Sequence, residues 1–288
     1  MIYYYKHKSI ADYSREEIDM LGYDGAYQFA VENGLDPDEV FQNLKQLETD
    51  ITNLNAAPYT TDDASFKALF DKAIDEYIYY FNSNAKYDRQ AYIVIGNAAS
   101  GKSYISDRVG EATHSMIIDS DNIKMGERTE KGFYEGLSSL YIPLERDRVQ
   151  KPCGDATKQI IDTASNQGTN LILTKASKSI DKLERQLQIL EDRNYDIHLI
   201  MVDSPAHICA RRNYYRYLVK EYRRQTYPTG QIERGRFVPV SVVKGYSDPI
   251  FDTFVNAYRK KRYKSYTALY GSEQEKEPID LNTMILDY

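Results

Sequence analysis

The chain has 288 residues, 42% of them hydrophobic, which suits one large α/β domain with a smaller attachment. The formal net charge of −6 argues against nucleic acid as a partner of the whole molecule, although residues 211–264 are rich in arginine and lysine. Because the two cysteines lack disulfide or zinc-site spacing, the N-terminus lacks a secretory signal and no apolar run has the length of a membrane span, we expect a cytoplasmic protein with no membrane partner.

Residues 1–90 are predicted to form a helical N-terminal region. Ser14 and Glu17 have the spacing of a capping box, and Asp36 followed by Pro37 is typical of a helix start. Apolar residues recur at helical spacing towards the end of this region, and we interpret them as packing surface.

After residue 90, short apolar runs alternate with longer helical patterns. The candidate strands are Ala91–Ile95, Met116–Ile118, Asn170–Leu173, His198–Val202 and Tyr266–Tyr270, and the helical patterns cover residues 102–111, 143–167, 179–193, 205–225 and 248–262. This alternation predicts an α/β fold over residues 91–270, with a mainly parallel sheet flanked by helices. Residues 271–288 are predicted to be a C-terminal tail, and the polar stretch Gly271–Pro278 is expected to be loose.

The segment GNAASGKS, from Gly96 to Ser103, matches the phosphate-binding pattern G-x-x-x-x-G-K-[ST]. A candidate strand precedes it and a helical pattern follows it, which is the context that the motif requires. Glycines let the loop approach phosphate oxygens, and the following helix adds its positive end. Lys102 would neutralise the β- and γ-phosphates, and the Ser103 hydroxyl would ligate Mg²⁺. We therefore predict that ATP and Mg²⁺ bind here, with contacts from Gly96, Asn97, Ala98, Ala99, Ser100, Gly101, Lys102, Ser103 and Tyr104.

Two carboxylates, Asp119 and Asp121, follow the second candidate strand. Side chains just past the carboxyl end of a parallel strand face the ligand crevice. One carboxylate would accept the proton of an attacking hydroxyl, and the other, assigned to Asp119, would help to hold Mg²⁺. A turn or a helix cap is the alternative interpretation, because Asp-Ser-Asp-Asn is a turn-prone sequence.

Further along the chain, two features remain open between a functional and a structural interpretation. Asp203 ends a candidate strand and suits either a Mg²⁺ partner of the loop serine or a cap of the next helix. In the basic segment, Arg212, Arg216 and Lys220 share one helical face. Arginines on a lid would stabilise charge on a transferred phosphoryl group, whereas a solvated basic face explains most of these residues more simply.

Taken together, these segments resemble the zeta toxin family of P-loop kinases over roughly residues 90–270. Those enzymes are the toxin halves of bacterial toxin–antitoxin pairs, and they transfer the ATP γ-phosphate to the 3′-hydroxyl of the amino sugar in UDP-N-acetylglucosamine. IIDSDNIK, at residues 117–124, resembles the family pattern I-D-x-D-x-[FI]-[KR], whose second aspartate, here Asp121, is the catalytic base. Arg216 follows Pro205 at the spacing of a family arginine that contacts phosphate, and Gly235-Arg236 resembles the loop of a second such arginine. The resemblance implies Lys102, Asp121, Arg216 and Arg236 as catalytic residues, with Asp119, Asp121 and Lys124 contacting the acceptor.

The chain departs from the family pattern where the family binds its acceptor. The third strand of the family ends in Glu-Gly-Thr, whereas this chain has Thr174-Lys175-Ala176-Ser177. Lys158 stands near the position of an acceptor-side glutamate of the family. Thr174, Lys175 and Lys158 are therefore candidate acceptor-binding residues, and lysines that face the crevice would favour a more anionic acceptor.

The sequence thus predicts an ATP- and Mg²⁺-dependent kinase that phosphorylates a hydroxyl of a small acceptor, such as a nucleotide or nucleotide sugar, and that has a possible antitoxin partner. A polynucleotide 5′-hydroxyl kinase is one alternative, which the acidic charge of the whole molecule disfavours and the basic segment at residues 211–264 favours. A non-catalytic P-loop protein that binds ATP or a partner is another alternative.

Overall fold

The computed structural model describes residues 7–53, most of 71–79, and residues 84–121, 146–226, 237–271 and 276–278. Its helices are α1 Arg15–Asp19, α2 Tyr23–Asn33, α3 Pro37–Thr52, α4 Lys102–Thr113, α5 Arg146–Asn166, α6 Ile180–Asp192, α7 Ala206–Thr226, α8 Val240–Lys244 and α9 Ser247–Lys260. Its strands are β1 Gln90–Gly96, β2 Met116–Ile118, β3 Leu171–Lys175, β4 Asp196–Asp203, β5 Ser265–Gly271 and β6 Lys276–Pro278.

One sheet contains these strands in the order β2-β3-β1-β4-β5-β6, and the first five strands are parallel. In the register, Ile95 of β1 lies between Lys175 of β3 and Met201 of β4. β1 is therefore central, and the ends of its two neighbours flank the loop that follows it. The predicted α/β class, with a mainly parallel sheet flanked by helices, is confirmed.

The alternation of side chains along β1 divides the core between the two faces of the sheet. Ile93 and Ile95 point to the larger core, which α5, α6 and α9 complete with residues such as Leu187. Val94 points to the other face, where α4 covers the sheet with Ile105. A strand that is buried on both faces explains why this segment reads as a continuous apolar run.

The sequence predicts a loose stretch at Gly271–Pro278, and the structure corrects this prediction at both ends of the stretch, while residues 272–275 lie outside the described residues. Lys276–Pro278 form β6, which pairs antiparallel with β5, so that Leu269 lies opposite Pro278. β6 covers the backbone groups that would otherwise be unpaired along the edge of β5. A polar three-residue edge strand carries no hydrophobic pattern, so the sequence could not indicate it.

The N-terminal helices pack on α7 and α8. The predicted capping box is present, since the Ser14 hydroxyl accepts from the Glu17 backbone N–H and the Glu17 carboxylate accepts from the Ser14 N–H. Leu21, Ala26, Phe41 and Leu44 share a buried cluster with residues of α7 and α8. The division of the chain at residue 90 remains a prediction, but these helices and α7 form one continuous apolar core. None of the helices in the described ranges is long and apolar enough to cross a membrane.

Two hydrogen bonds to the Glu48 carboxylate and one close glycine contact hold these helices against α7 and α8. The Tyr214 hydroxyl donates to Glu48 of α3 at 2.9 Å, and Glu48 also accepts from the Ser241 backbone N–H at 2.9 Å. A Cβ at Gly25 would lie 2.3 Å from the Arg211 carbonyl oxygen, so α2 and α7 approach closely there.

We expect Gly25→Ala to lower the free energy of unfolding by about 1–3 kcal/mol, because the added methyl group forces α2 away from α7. The control is Gly154→Ala in α5, where a Cβ meets nothing within 4 Å. This control should leave stability unchanged or raise it by up to about 1 kcal/mol, because alanine favours helix. Urea unfolding followed by circular dichroism measures both variants. Equal stability of Gly25→Ala and the parent protein would show that the helix contact is unimportant.

Candidate active site

The loop between β1 and α4 has a compact, strained path. A Cβ at Gly96 would lie 2.6 Å from both the Ser100 hydroxyl oxygen and the Val202 carbonyl oxygen, so only glycine fits. Ala99 and Gly101 have φ values of 57° and 94°, in the left-handed region. Gly101 then caps α4, which starts at Lys102. The motif therefore forms a tight turn at a helix N-terminus, which is the arrangement that binds phosphate.

Side-chain hydrogen bonds within the loop and to two other segments hold this loop in place. The Asn97 side-chain amide donates to the Val243 carbonyl of α8 at 2.8 Å, while its oxygen accepts from the Ala98 N–H at 2.7 Å. The Ser204 hydroxyl, just past β4, donates to the Ser100 carbonyl at 3.2 Å. The Lys102 ammonium donates to the Asn97 carbonyl at 2.6 Å, which places its charge over the loop.

A cleft of about 860 Å³ opens above this loop. The described residues around it come from the loop, from the carboxyl ends of β2 and β3, from α5, α6 and α7, and from α8 and its flanking residues. The predicted site residues that line it are Asn97, Ala98, Ala99, Gly101, Lys102, Ser103, Asp119, Asp121, Thr174, Lys175 and Arg216. Residues separated by more than one hundred positions in the chain thus face one space.

The charges in the cleft act on Lys102. Burial lowers the pKa of the Lys102 ammonium, the carboxylates of Asp119 and Asp121 oppose that change, and the Arg216 guanidinium adds to it. Lys102, Asp119, Asp121 and Arg216 all line the cleft, so two carboxylates and two cations face the same space. Such a cluster of cations and carboxylates beside a phosphate-binding loop suits phosphoryl transfer.

Asp119 both caps a helix and faces the cleft, so the two interpretations of this residue are compatible. Its buried carboxylate accepts from the Asp121 backbone N–H at 2.9 Å, while Ser120 and Asp121 are helical. The Tyr77 hydroxyl accepts from the Asp119 N–H at 3.4 Å and donates to the Ile117 carbonyl at 2.7 Å, which holds the end of β2.

The oxygen donors in the cleft fit Mg²⁺. Ser103, in the first turn of α4, supplies an exposed hydroxyl, and Asp119 supplies a carboxylate. No cluster of three or more acidic, histidine or cysteine ligands exists within the described ranges. A site of one hydroxyl and one carboxylate is typical of Mg²⁺ that is bound largely through substrate phosphates and water.

The end of β3 forms the far wall of the cleft. The hydroxyls of Thr174 and Ser106 are 3.2 Å apart, which ties β3 to α4. Lys175 is partly buried, and burial lowers the pKa of its ammonium, with a further contribution from the like charge of Lys182. Lys182 and Gln186 line the cleft from α6.

The family model for the zeta toxin matches residues 80–264 of the chain, which is more than half of its length. The chain belongs to the zeta toxin family. No curated protein sequence matches the chain.

Two solved structures share the fold of this zeta toxin family chain. A chain from the PezAT chromosomal toxin–antitoxin system of Streptococcus pneumoniae has a TM-score of 0.54 at 13% sequence identity, over 74% of this chain and 79% of that chain. A chain of the AvrRxo1-ORF1:AvrRxo1-ORF2 complex with sulphate ions has a TM-score of 0.50 at 14% identity, over 75% of this chain and 66% of that chain. At these identities the likeness shows the fold.

Some predicted residues of this zeta toxin family chain do not reach the cleft. Lys158 lies on the outer face of α5, where its exposed ammonium donates to Asp155 at 3.0 Å. Tyr104 is exposed beneath the guanidinium of Arg108, on the outer side of α4. Gly96 and Ser100 are buried and support the loop from below. Lys124 and Arg236 lie outside the described residues.

Sequence reasoning did not single out Lys182 and Gln186. They stand four residues apart on α6, whose Leu183, Leu187 and Leu190 face the core and so set its rotation. The sequence feature that could have indicated them is a pair of polar residues four positions apart on the helix that follows β3. Arg212, which was assigned with the basic face, also lines the cleft next to Arg216.

Asp203 is engaged by the N-terminal segment and does not line the cleft among the described residues. Its carboxylate lies 2.9 Å from Nδ1 of His7, whose Nε2 lies 3.2 Å from Asp248. The His7 ring stacks on Phe251 with centroids 4.2 Å apart, and Asp248 also accepts from the Ser9 hydroxyl at 2.6 Å. The expectation of a Mg²⁺ partner at Asp203 is therefore not supported, because this carboxylate attaches the N-terminal segment to β4 and α9.

We expect His7→Ala to be most destabilising above pH 7. Burial raises the pKa of Asp203 to about 7, from 3.8 in the unfolded chain. A raised carboxyl pKa means that the folded state prefers the protonated acid, so its contribution to stability falls as the pH rises from about 4 through 7. Without His7, the ionised carboxylate is buried without that partner, which costs about 1–3 kcal/mol at pH 8 and less at pH 5.

Urea unfolding of the parent protein and of His7→Ala at both pH values checks this expectation. The double variant with Asp203→Asn should lose the difference between pH 5 and pH 8, because it has no acid to titrate at that position. A His7→Ala penalty that is the same at pH 5 and pH 8 would contradict the coupling.

Proposed function

We propose that this chain is an ATP-dependent kinase that transfers the γ-phosphate to a hydroxyl of a small acceptor, a nucleotide or a nucleotide sugar. The observation that carries the proposal is the convergence of Lys102, Asp119, Asp121 and Arg216 on one cleft above a phosphate-binding loop. Family membership and the P-loop kinase fold support the same reaction class.

On the donor side, the loop amides and the N-terminus of α4 bind the phosphates. Lys102 neutralises the transferred group, and a phosphate oxygen replaces the Asn97 carbonyl as the acceptor of its N–H donors. The bonds from Asn97 and Ser204 hold the loop in its binding shape, so little rearrangement is needed when the nucleotide enters.

On the acceptor side, Asp121 accepts the proton of the attacking hydroxyl. Its position past the end of β2, in the cleft that Lys102 also lines, supports the assignment of Asp121 as the base. Arg216 projects from α7 into the same space and stabilises the charge that spreads over the transferred phosphoryl oxygens. Arg236 is assigned the second such role from the family pattern alone.

Ser103 and Asp119 would hold Mg²⁺, which would neutralise phosphate charge.

An antitoxin partner is proposed from the family and from the PezAT toxin–antitoxin system, whose structure shares the fold. Cytoplasmic location is proposed because ATP and nucleotide acceptors are found there.

Lys102→Ala should weaken nucleotide binding by at least about tenfold, because it removes a charged hydrogen-bond donor from the phosphates. Binding of a fluorescent ATP analogue measures this effect. Lys158→Ala is the matched control, since Lys158 is exposed on the outer face of α5, where it pairs with Asp155. Unchanged affinity in Lys102→Ala would show that the loop does not bind the donor phosphates.

Asp121→Asn should reduce phosphoryl transfer by about 10²–10⁴-fold and leave nucleotide binding intact, because the amide cannot accept the proton. Mass spectrometry of a panel of nucleotides and nucleotide sugars, incubated with protein and ATP, detects the gain of one phosphate. Asp192→Asn, at the exposed end of α6, is the matched control. Full turnover by Asp121→Asn would assign the base elsewhere, and no transfer by the parent protein to any acceptor would favour a non-catalytic nucleotide-binding protein.

A further inference from the structure

We propose that Lys175 and Lys182 form an anion subsite on the acceptor side of the cleft, and that the acceptor places a phosphate or diphosphate group there. The inference rests on the proposed function, since it concerns the second substrate of the same cleft. It identifies Lys182 as a specificity-determining residue and replaces Lys158, which the sequence pointed to and the structure places outside.

The fold holds these two lysines towards each other. Lys175 is the last residue of β3, and Lys182 lies in the first turn of α6, which follows β3 directly. The buried Leu183 and Leu187 turn α6 so that Lys182 faces the cleft. Both side chains line the same cleft, and the charge of Lys182 adds to the effect of burial in lowering the pKa of the Lys175 ammonium.

This arrangement is electrostatically unfavourable without an anion. Neither lysine forms an ion pair with a carboxylate of the described residues. Lys182 also occupies the positive end of α6, capped by Ser179, where a cation is disfavoured. A bound anion relieves the repulsion between the lysines and interacts favourably with the helix end, so one ligand group compensates for both costs.

The fold separates this subsite from the donor phosphates. The helix α4, which begins at Lys102, packs on one face of the sheet through Ile105, whereas α6, which carries Lys182, packs on the other face through Leu183 and Leu187. Lys182 therefore reaches the cleft from the side of the sheet opposite the helix that follows the phosphate loop. The anion bound by Lys175 and Lys182 is therefore a different group from the γ-phosphate over Lys102.

The chemistry of the wall favours a phosphate or diphosphate over a carboxylate. Two ammonium groups offer six N–H donors and no acceptor, which suits a group with several oxygens and more than one negative charge. Gln186, one turn further along α6, and Thr157 of α5 add neutral hydrogen-bonding groups to the same wall. A nucleotide or nucleotide sugar carries such a group, whereas a free sugar or nucleoside does not.

The test measures anion binding when the donor site is filled. The protein is saturated with Mg²⁺ and adenylyl imidodiphosphate, which occupies the β- and γ-phosphate positions, and pyrophosphate is titrated by calorimetry. We expect the parent protein to bind pyrophosphate and Lys182→Gln to bind it at least about tenfold more weakly. Lys182→Arg should retain binding, and Lys158→Gln, which removes a lysine outside the cleft, should match the parent protein.

Lys182 is exposed, so its variants should keep the unfolding midpoint of the parent protein. If the parent protein binds the ATP analogue but not pyrophosphate, the anion subsite is disproved and the donor site stands. If Lys182→Gln loses affinity for the analogue and keeps it for pyrophosphate, the lysine belongs to the donor side and the inference is overturned. Failure of the parent protein to bind the analogue at all would overturn the proposed kinase function, on which the subsite depends.

Discussion

The close contact of Gly96 with the end of β4 is the constraint on which the site depends. The backbone of the phosphate loop passes so near the Val202 carbonyl that no side chain fits at Gly96. This contact lets β1 run directly into a turn that ends at α4, and Asn97 and Ser204 then fix the turn to α8 and β4. The loop is therefore shaped by the centre of the sheet, and every other group in the cleft is positioned relative to it.

The N-terminal helices extend this support to the arginine-bearing helix. α7 carries Arg212 and Arg216 on its cleft side and packs its other side on α2 and α3 through Tyr214 and the surrounding apolar cluster. The bond between His7 and Asp203 attaches the start of the described chain to the strand beside the phosphate loop. The N-terminal helices and the helix that carries Arg216 therefore share one packed core.

The sequence predicted best those elements whose patterns involve residues that are close together in the chain. The strands β1, β3 and β4 lie within two residues of their predicted ends, because each is an apolar run buried on both faces. The phosphate loop was predictable because its glycines, lysine and serine act within eight consecutive residues. β6 was missed because edge pairing depends on β5 and not on the residues of β6 itself. Lys158 was misplaced because the rotation of α5 is set by its distant contacts with the core.

The sequence by itself determined the class of fold, the position of the phosphate loop and the identity of Asp121 as the acid after β2, since each depends on residues that are neighbours in the chain. Only the tertiary structure decided which distant side chains share the cleft. It brought Lys182 beside Lys175, turned Lys158 outwards and assigned Asp203 to His7. The physical reason is that long-range packing sets the rotation of each helix and brings the strand ends together. The spacing of residues along the chain does not specify that packing.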